Sequence, residues 1–142
     1  MAEQFSKYFK LEEFLDSSVA RQKGISNSPS WEAVEALREL ALFLDGVRAA
    51  WGSGINVNSG FRCKKLNDAV GGVYNSAHLK AAADLYPSNG RFDEFKKFIV
   101  AYLKGKDYDE CIIEKKGKSQ WVHFALRSIK GEQRKKCFSL NV

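Results

Sequence analysis

Residues 59–84, SGFRCKKLNDAVGGVYNSAHLKAAAD, carry the reading that decides the fold. Just before them, Ile55-Asn56-Val57-Asn58 alternates apolar and polar residues, the pattern of a short half-buried strand. Within them, Cys63 to Val70 predicts a small helix ended by Gly71-Gly72, then a loop through Val73-Tyr74-Asn75-Ser76. Ala82 to Tyr86 reads as a second strand, closed by Pro87.

Upstream, Phe9-Lys10-Leu11 and Phe14-Leu15 are short apolar patches, and a short helix over Ser17 to Lys23 is stopped by Gly24. Asn27-Ser28-Pro29 predicts the next start, with Ser28 as cap and Pro29 in the first turn. From there Ala33, Leu37, Leu40, Leu44, Val47 and Trp51 recur at helical spacing up to Gly52. Such a stripe is core and carries no chemistry. Downstream, Asn89 is placed as the cap of a helix whose Phe92, Phe95, Ile99 and Tyr102 or Leu103 face inward. Asp109 to Lys115 and Gln120 to Arg127 predict a hairpin across Lys116-Gly117-Lys118-Ser119. Helices first and antiparallel or mixed strands after make an α+β domain with helices packed on one sheet.

The 142 residues suit one domain spanning 1–142. With 44% hydrophobic and 28% charged residues, the composition excludes widespread disorder. No apolar run approaches the roughly 20 residues of a membrane span. The opening MAEQFSKYFKLEEF lacks the apolar stretch of a secretory signal, so synthesis in the cytoplasm is expected. A net charge of +6 favours an acidic polymer as partner. The basic residues are scattered apart from Arg134-Lys135-Lys136, so no nucleic-acid role is expected. Cys63, Cys111 and Cys137 are odd in number and far apart, which argues against a disulfide framework or a cysteine zinc site.

There are two histidines, His78 and His123, and both fall in the predicted sheet region. Strand alternation puts Trp121 and His123 on one face, and Asp84 follows His78 closely. Two imidazoles and a carboxylate make a three-ligand zinc set with a fourth position left open. Spacing alone also allows the plainer reading of two ordinary histidines.

The pieces Ser-Gly-Phe-Arg (59–62), Asn-x-x-Val-Gly-Gly (67–72), Ser-x-His (76–78), Ala-Ala-Ala-Asp (81–84) and Trp-Val-His (121–123), in this order, resemble the zinc D-Ala-D-Ala peptidase family. Its members are D-Ala-D-Ala carboxypeptidases and L-Ala-D-Glu endopeptidases of phage lysins, and its fold is shared with the hedgehog signalling domain. The likeness covers nearly the whole chain, and Phe-Lys-Leu-Glu-Glu-Phe (9–14), Ser-Val-Ala-Arg (18–21) with Gly-Ile-Ser-Asn-Ser-Pro (24–29), and the long helix ending near Val47-Arg48 also resemble the compact phage and prophage branch. It implies His78, Asp84 and His123 as ligands of Zn2+ and Arg62 as the group that meets a substrate carboxylate or carbonyl. It also implies Ser76 lining the site or bonding the substrate. The plainer alternatives are a structural salt bridge for Arg62 and a turn role for Ser76.

Two departures stand out. The family pattern has six residues between the first histidine and the aspartate, one of them glycine. Here Leu79-Lys80-Ala81-Ala82-Ala83 makes five, without glycine. On a strand, a one-residue shift turns a side chain to the other face. Either the loop after His78 tightens, or a residue is missing between Lys80 and Ala81; the intact flanking motif favours the second. The other departure is at the general base. Some relatives carry an acid three residues before the last histidine, where this chain has Gln120, which takes no proton. Glu114, on the partner strand of the hairpin, matches a glutamate in the Asp-x-x-Ile-x-Glu segment (109–114) of the compact branch, so the resemblance implies Glu114 as the base, with Asp109 behind it; the plainer reading of Glu114 is a solvated strand residue beside Lys115 and Lys116.

The expectation is a zinc-dependent peptidase that cuts the stem peptide of peptidoglycan, acting as a monomer after lysis or assisted export. The rival is a non-catalytic cell-wall-binding or structural module that keeps the fold.

Overall fold

The structure, a computed structural model, describes residues 5–142. The first four residues of the stretch read above for a secretory signal lie outside the described residues.

Two short helices come first among the described residues, α1 (Leu11–Leu15) and α2 (Ser18–Lys23). Ser17 caps α2, its hydroxyl accepting from Ala20 N at 3.1 Å. The long helix α3 (Trp31–Trp51) buries Ala33, Leu37, Leu40, Leu44 and Val47 as the spacing predicts, adds Ala41, and ends at Gly52. Its cap corrects the sequence reading. Ser30, not Ser28, accepts from Ala33 N at 3.1 Å. The Ser28 hydroxyl is 2.9 Å from that of Ser26, and Pro29 precedes the cap.

Five strands form one sheet: β1 (Ile55–Ser59), β2 (Ala83–Pro87), β3 (Glu110–Lys116), β4 (Ser119–Ala125) and β5 (Lys136–Asn141). Their order is β1-β2-β4-β3-β5, antiparallel except for the parallel β3–β5 pair. The hairpin is as expected but tighter, because Lys116 and Ser119 pair and leave Gly117-Lys118 as the turn. The sequence reading left β5 out, although Phe138, Leu140 and Val142 alternate with polar residues in the pattern of a strand. All six of its residues are exposed, and backbone pairing with β3 holds it. Between β2 and β3 lies α5 (Phe92–Tyr102), which buries Phe92, Phe95 and Ile99, with Leu103 buried just beyond it. Its N-cap position is Arg91, not Asn89, whose side-chain oxygen instead accepts from Arg91 N at 3.0 Å, two residues early.

The sheet has two unlike faces. Leu85, Cys111, Val122 and Phe124 join the side chains of α3 and α5 in the core. Because side chains alternate along a strand, Asp84, Glu110, Ile112, Glu114, Trp121 and His123 share the opposite face. The loop 70–73 that follows a small helix α4 (Lys64–Ala69), and a 3-10 turn (Ala77–Leu79), border that face. Among the described residues, no helix is long and apolar enough to cross a membrane.

Candidate metal centre and active site

The chain leaves β1 through a break in register between Val57 and Ser59 and passes tightly under α1. At Gly60 an added Cβ would lie 2.4 Å from the carbonyl oxygen of Phe14, so only glycine fits. Asn27 then fastens the next residues: its amide donates to the carbonyls of Leu15 and Phe61, and its oxygen accepts from Cys63 N at 2.8 Å. Arg62 is thus bracketed on both sides by one asparagine.

This segment also holds the first histidine. The ring Nδ1 of His78 lies 2.6 Å from the Gly60 carbonyl, and Arg62 N donates to the His78 carbonyl at 2.7 Å. A carbonyl only accepts, so Nδ1 carries the proton and Nε2 keeps a free lone pair. His78 sits on the 3-10 turn rather than on the sheet where the sequence reading put it. Ser76 caps that turn, accepting from His78 N at 3.2 Å.

Asp84 and His123 are direct cross-strand partners on β2 and β4. His123 Nδ1 is 3.2 Å from His78 Nε2 and 3.3 Å from Asp84 Oδ1, and His78 Nε2 is 3.3 Å from the same oxygen. The three atoms form a nearly equilateral triangle. Tetrahedral ligands about 2.0–2.1 Å from zinc are separated by about 3.3 Å, so the donor set fits that ion in type and spacing. Both imidazoles are buried and Asp84 is half-buried.

The five-residue spacing therefore brings the three groups together. The backbone of Lys80 and Ala81 both donate to the Ala77 carbonyl at 3.0 Å, a tight closure that delivers Asp84 to the site face of β2. No additional residue between Lys80 and Ala81 is needed.

The electrostatics match this crowding. Burial alone would raise the Asp84 carboxyl, but the charges and hydrogen bonds of His78 and His123 outweigh it and hold Asp84 well below the usual carboxylate range. Burial pulls His123 down, yet its bonds to Asp84 and Glu110 push it up to about 9. Glu110 is a residue that sequence reasoning missed. Its Oε1 lies 3.1 Å from His123 Nε2, which fixes that nitrogen as the N–H and turns Nδ1 toward the cluster. The hydrogen bond from His123 draws the Glu110 carboxyl down, against its burial. The pairing of Glu110 two residues before Ile112, the register partner of His123, was the available signal.

The cluster opens into a cavity of about 570 Å³ that Arg62, Ser76, Glu114 and Trp121 also line. Arg62 makes no ion pair among the described residues; its Nη2 reaches the Ser76 hydroxyl at 3.4 Å and its buried Nε has no partner. Burial draws its guanidinium below the usual range while Asp84 and Glu114 oppose this. The result is a cation with donors to spare beside the cluster. Glu114 pairs with Trp121 across the hairpin and accepts its indole N–H at 2.9 Å. Asp109 is not available as a base. It is fully buried, and the Arg134 side chain grips both of its oxygens at 2.8 Å. Gln120 follows the core-facing parity of Val122 and Phe124 and does not line the cavity.

The Asn-x-x-Val-Gly-Gly stretch builds one wall. Buried Asn67 donates to the Val73 carbonyl at 2.9 Å, and a Cβ on Gly72 would lie 2.1 Å from the Asn67 side-chain oxygen. The loop folds over that asparagine only because residue 72 has no side chain.

A family model described as Peptidase M15 matches residues 7–125. No protein with a curated description matches the chain. The match spans most of the chain, which belongs to the M15 family of zinc peptidases.

Proposed function

We propose that this M15 metallopeptidase hydrolyses a peptide bond in the stem peptide of peptidoglycan, as a carboxypeptidase or an endopeptidase, within one domain. His78, Asp84 and His123 would hold the zinc ion. The observation that carries the reading is their triangle of donor atoms at 3.2–3.3 Å, each imidazole turned by an outer partner so that a lone pair faces inward.

A bound zinc ion supplies a Lewis acid that acidifies water and polarises a carbonyl. The residues of the chain do the rest. Glu114 accepts the proton of the attacking water and returns it to the leaving amine. The Trp121 indole holds one carboxylate oxygen of Glu114 and so orients the other. Arg62 anchors a carboxylate or carbonyl of the substrate, a role suited to its forked donors and supported by the absence of a competing ion pair among the described residues. Ser76, beside Arg62, bonds to the same end of the substrate while capping the turn of His78. The net charge of +6 suits an acidic wall polymer.

Zymography on purified cell wall tests this. The zinc-loaded protein should clear the wall, a chelator should abolish the clearing, and added zinc should restore it. A fully zinc-loaded protein that clears nothing would favour the wall-binding module instead.

A further inference from the structure

We propose that Cys111 and Cys137 form a thiol pair that closes to a disulfide when the protein meets a small-molecule disulfide such as glutathione disulfide, fastening edge strand β5 to β3. The two cysteines are direct register partners in the parallel β3–β5 ladder. Neighbouring strands lie about 4.8 Å apart, within the Cα separations of about 4.4–6.8 Å that a disulfide spans. Side chains paired in register project to the same face, so the two thiols face one another. Of the three cysteines, only these two are strand partners; Cys63 caps α4 through its sulfur.

Their environments divide the work. Cys137 is exposed and open to attack on a reagent, whereas Cys111 is fully buried. Burial pushes the Cys111 thiol up, so it reacts second and by proximity. The Cys137 thiolate attacks one sulfur of glutathione disulfide, forming a mixed disulfide and releasing one glutathione thiolate. Cys111 then loses its proton and attacks the Cys137 sulfur, releasing the second glutathione. The two electrons end on the two glutathiones.

The structural need is plain. Every residue of β5 is exposed, so packing contributes little to holding it, yet Leu140 and the following Val142 line the cavity described above. A covalent tie from β3 would secure that wall. The proposal rests on strand register and stands apart from the reading of the metal centre.

The test is treatment of the full chain with glutathione disulfide, followed by non-reducing peptide mapping and thermal melting. A linked Cys111–Cys137 peptide and a melting midpoint raised by about 10 °C, both reversed by dithiothreitol, are expected. Cys137→Ser, at an exposed position that leaves the core intact, should lose the linked peptide and the shift. A product that stops at the mixed disulfide, joins two chains or uses Cys63 would overturn the proposal. So would a linked pair whose midpoint is unchanged.

Discussion

Gly60 and His78 are locked to each other: the Gly60 carbonyl is 2.6 Å from the ring Nδ1 of His78, and the residue two beyond Gly60 donates back to the His78 carbonyl. A residue with no side chain thereby sets the tautomer of one of the three clustered donors.

Gly60→Ala should therefore harm both stability and metal binding. The new methyl would meet the backbone of Phe14, which has no flexible end to yield. A loss of about 1–3 kcal/mol in denaturant unfolding is expected, together with weaker zinc binding as the carbonyl moves. An alanine variant with unchanged midpoint and zinc affinity would show that the contact relaxes at no cost.

Glu110 should matter through His123. Glu110→Ala removes the acceptor of His123 Nε2–H, and zinc affinity should fall about 10- to 100-fold in a chelator competition. Glu110→Gln keeps an acceptor oxygen and should recover much of the loss. Equal weakening by both variants would assign the effect to charge rather than to ring orientation.

Glu114→Gln separates metal binding from turnover. The variant should keep its zinc and its fold, because the amide oxygen still accepts from Trp121. Hydrolysis should fall about 100- to 10,000-fold, the usual worth of a placed proton carrier. Retained turnover would move the base to another group.

The fold was legible where side chains alternate with burial, as in α3, α5 and the β3–β4 hairpin. In β5 the alternation of Phe138, Leu140 and Val142 was there to read but was passed over, and in the fold it buries no face, so ladder bonds to β3 define the strand. At the site, the likeness of motif pieces gave His78, Asp84, His123, Arg62 and Ser76, all of which the folded chain gathers around one cavity. Glu110 escaped because its partner lies diagonally across the hairpin, where only the strand register brings it beside His123. Asp109, its neighbour in sequence, faces the other way into the Arg134 clamp, an outcome set by strand parity. The short loop before Asp84 misled because counting residues assumes a strand, and the chain instead closes a 3-10 turn there.

Metal-free protein should show a distinctive pH profile. His123 is raised from its ordinary value near 6.5 to about 9, so its contribution is fully present below about 6.5 and is lost as pH rises through 9. Asp84 is lowered, so its contribution is present above its ordinary value near 3.8 and is lost as pH falls below it. The melting midpoint of metal-free protein should thus decline between pH 6.5 and 9 relative to zinc-loaded protein. Zinc uptake at pH 7.5 should release a proton, seen by calorimetry in buffers of different ionisation enthalpy. A flat midpoint with no proton release would contradict the His123–Asp84–Glu110 linkage.

The most direct measurement is anomalous diffraction at the zinc absorption edge from crystals of zinc-loaded protein. One peak should lie about 2.0–2.2 Å from His78 Nε2, Asp84 Oδ1 and His123 Nδ1 together. Stoichiometric zinc with its peak anywhere else, or bound by fewer than these three groups, would contradict the proposed centre.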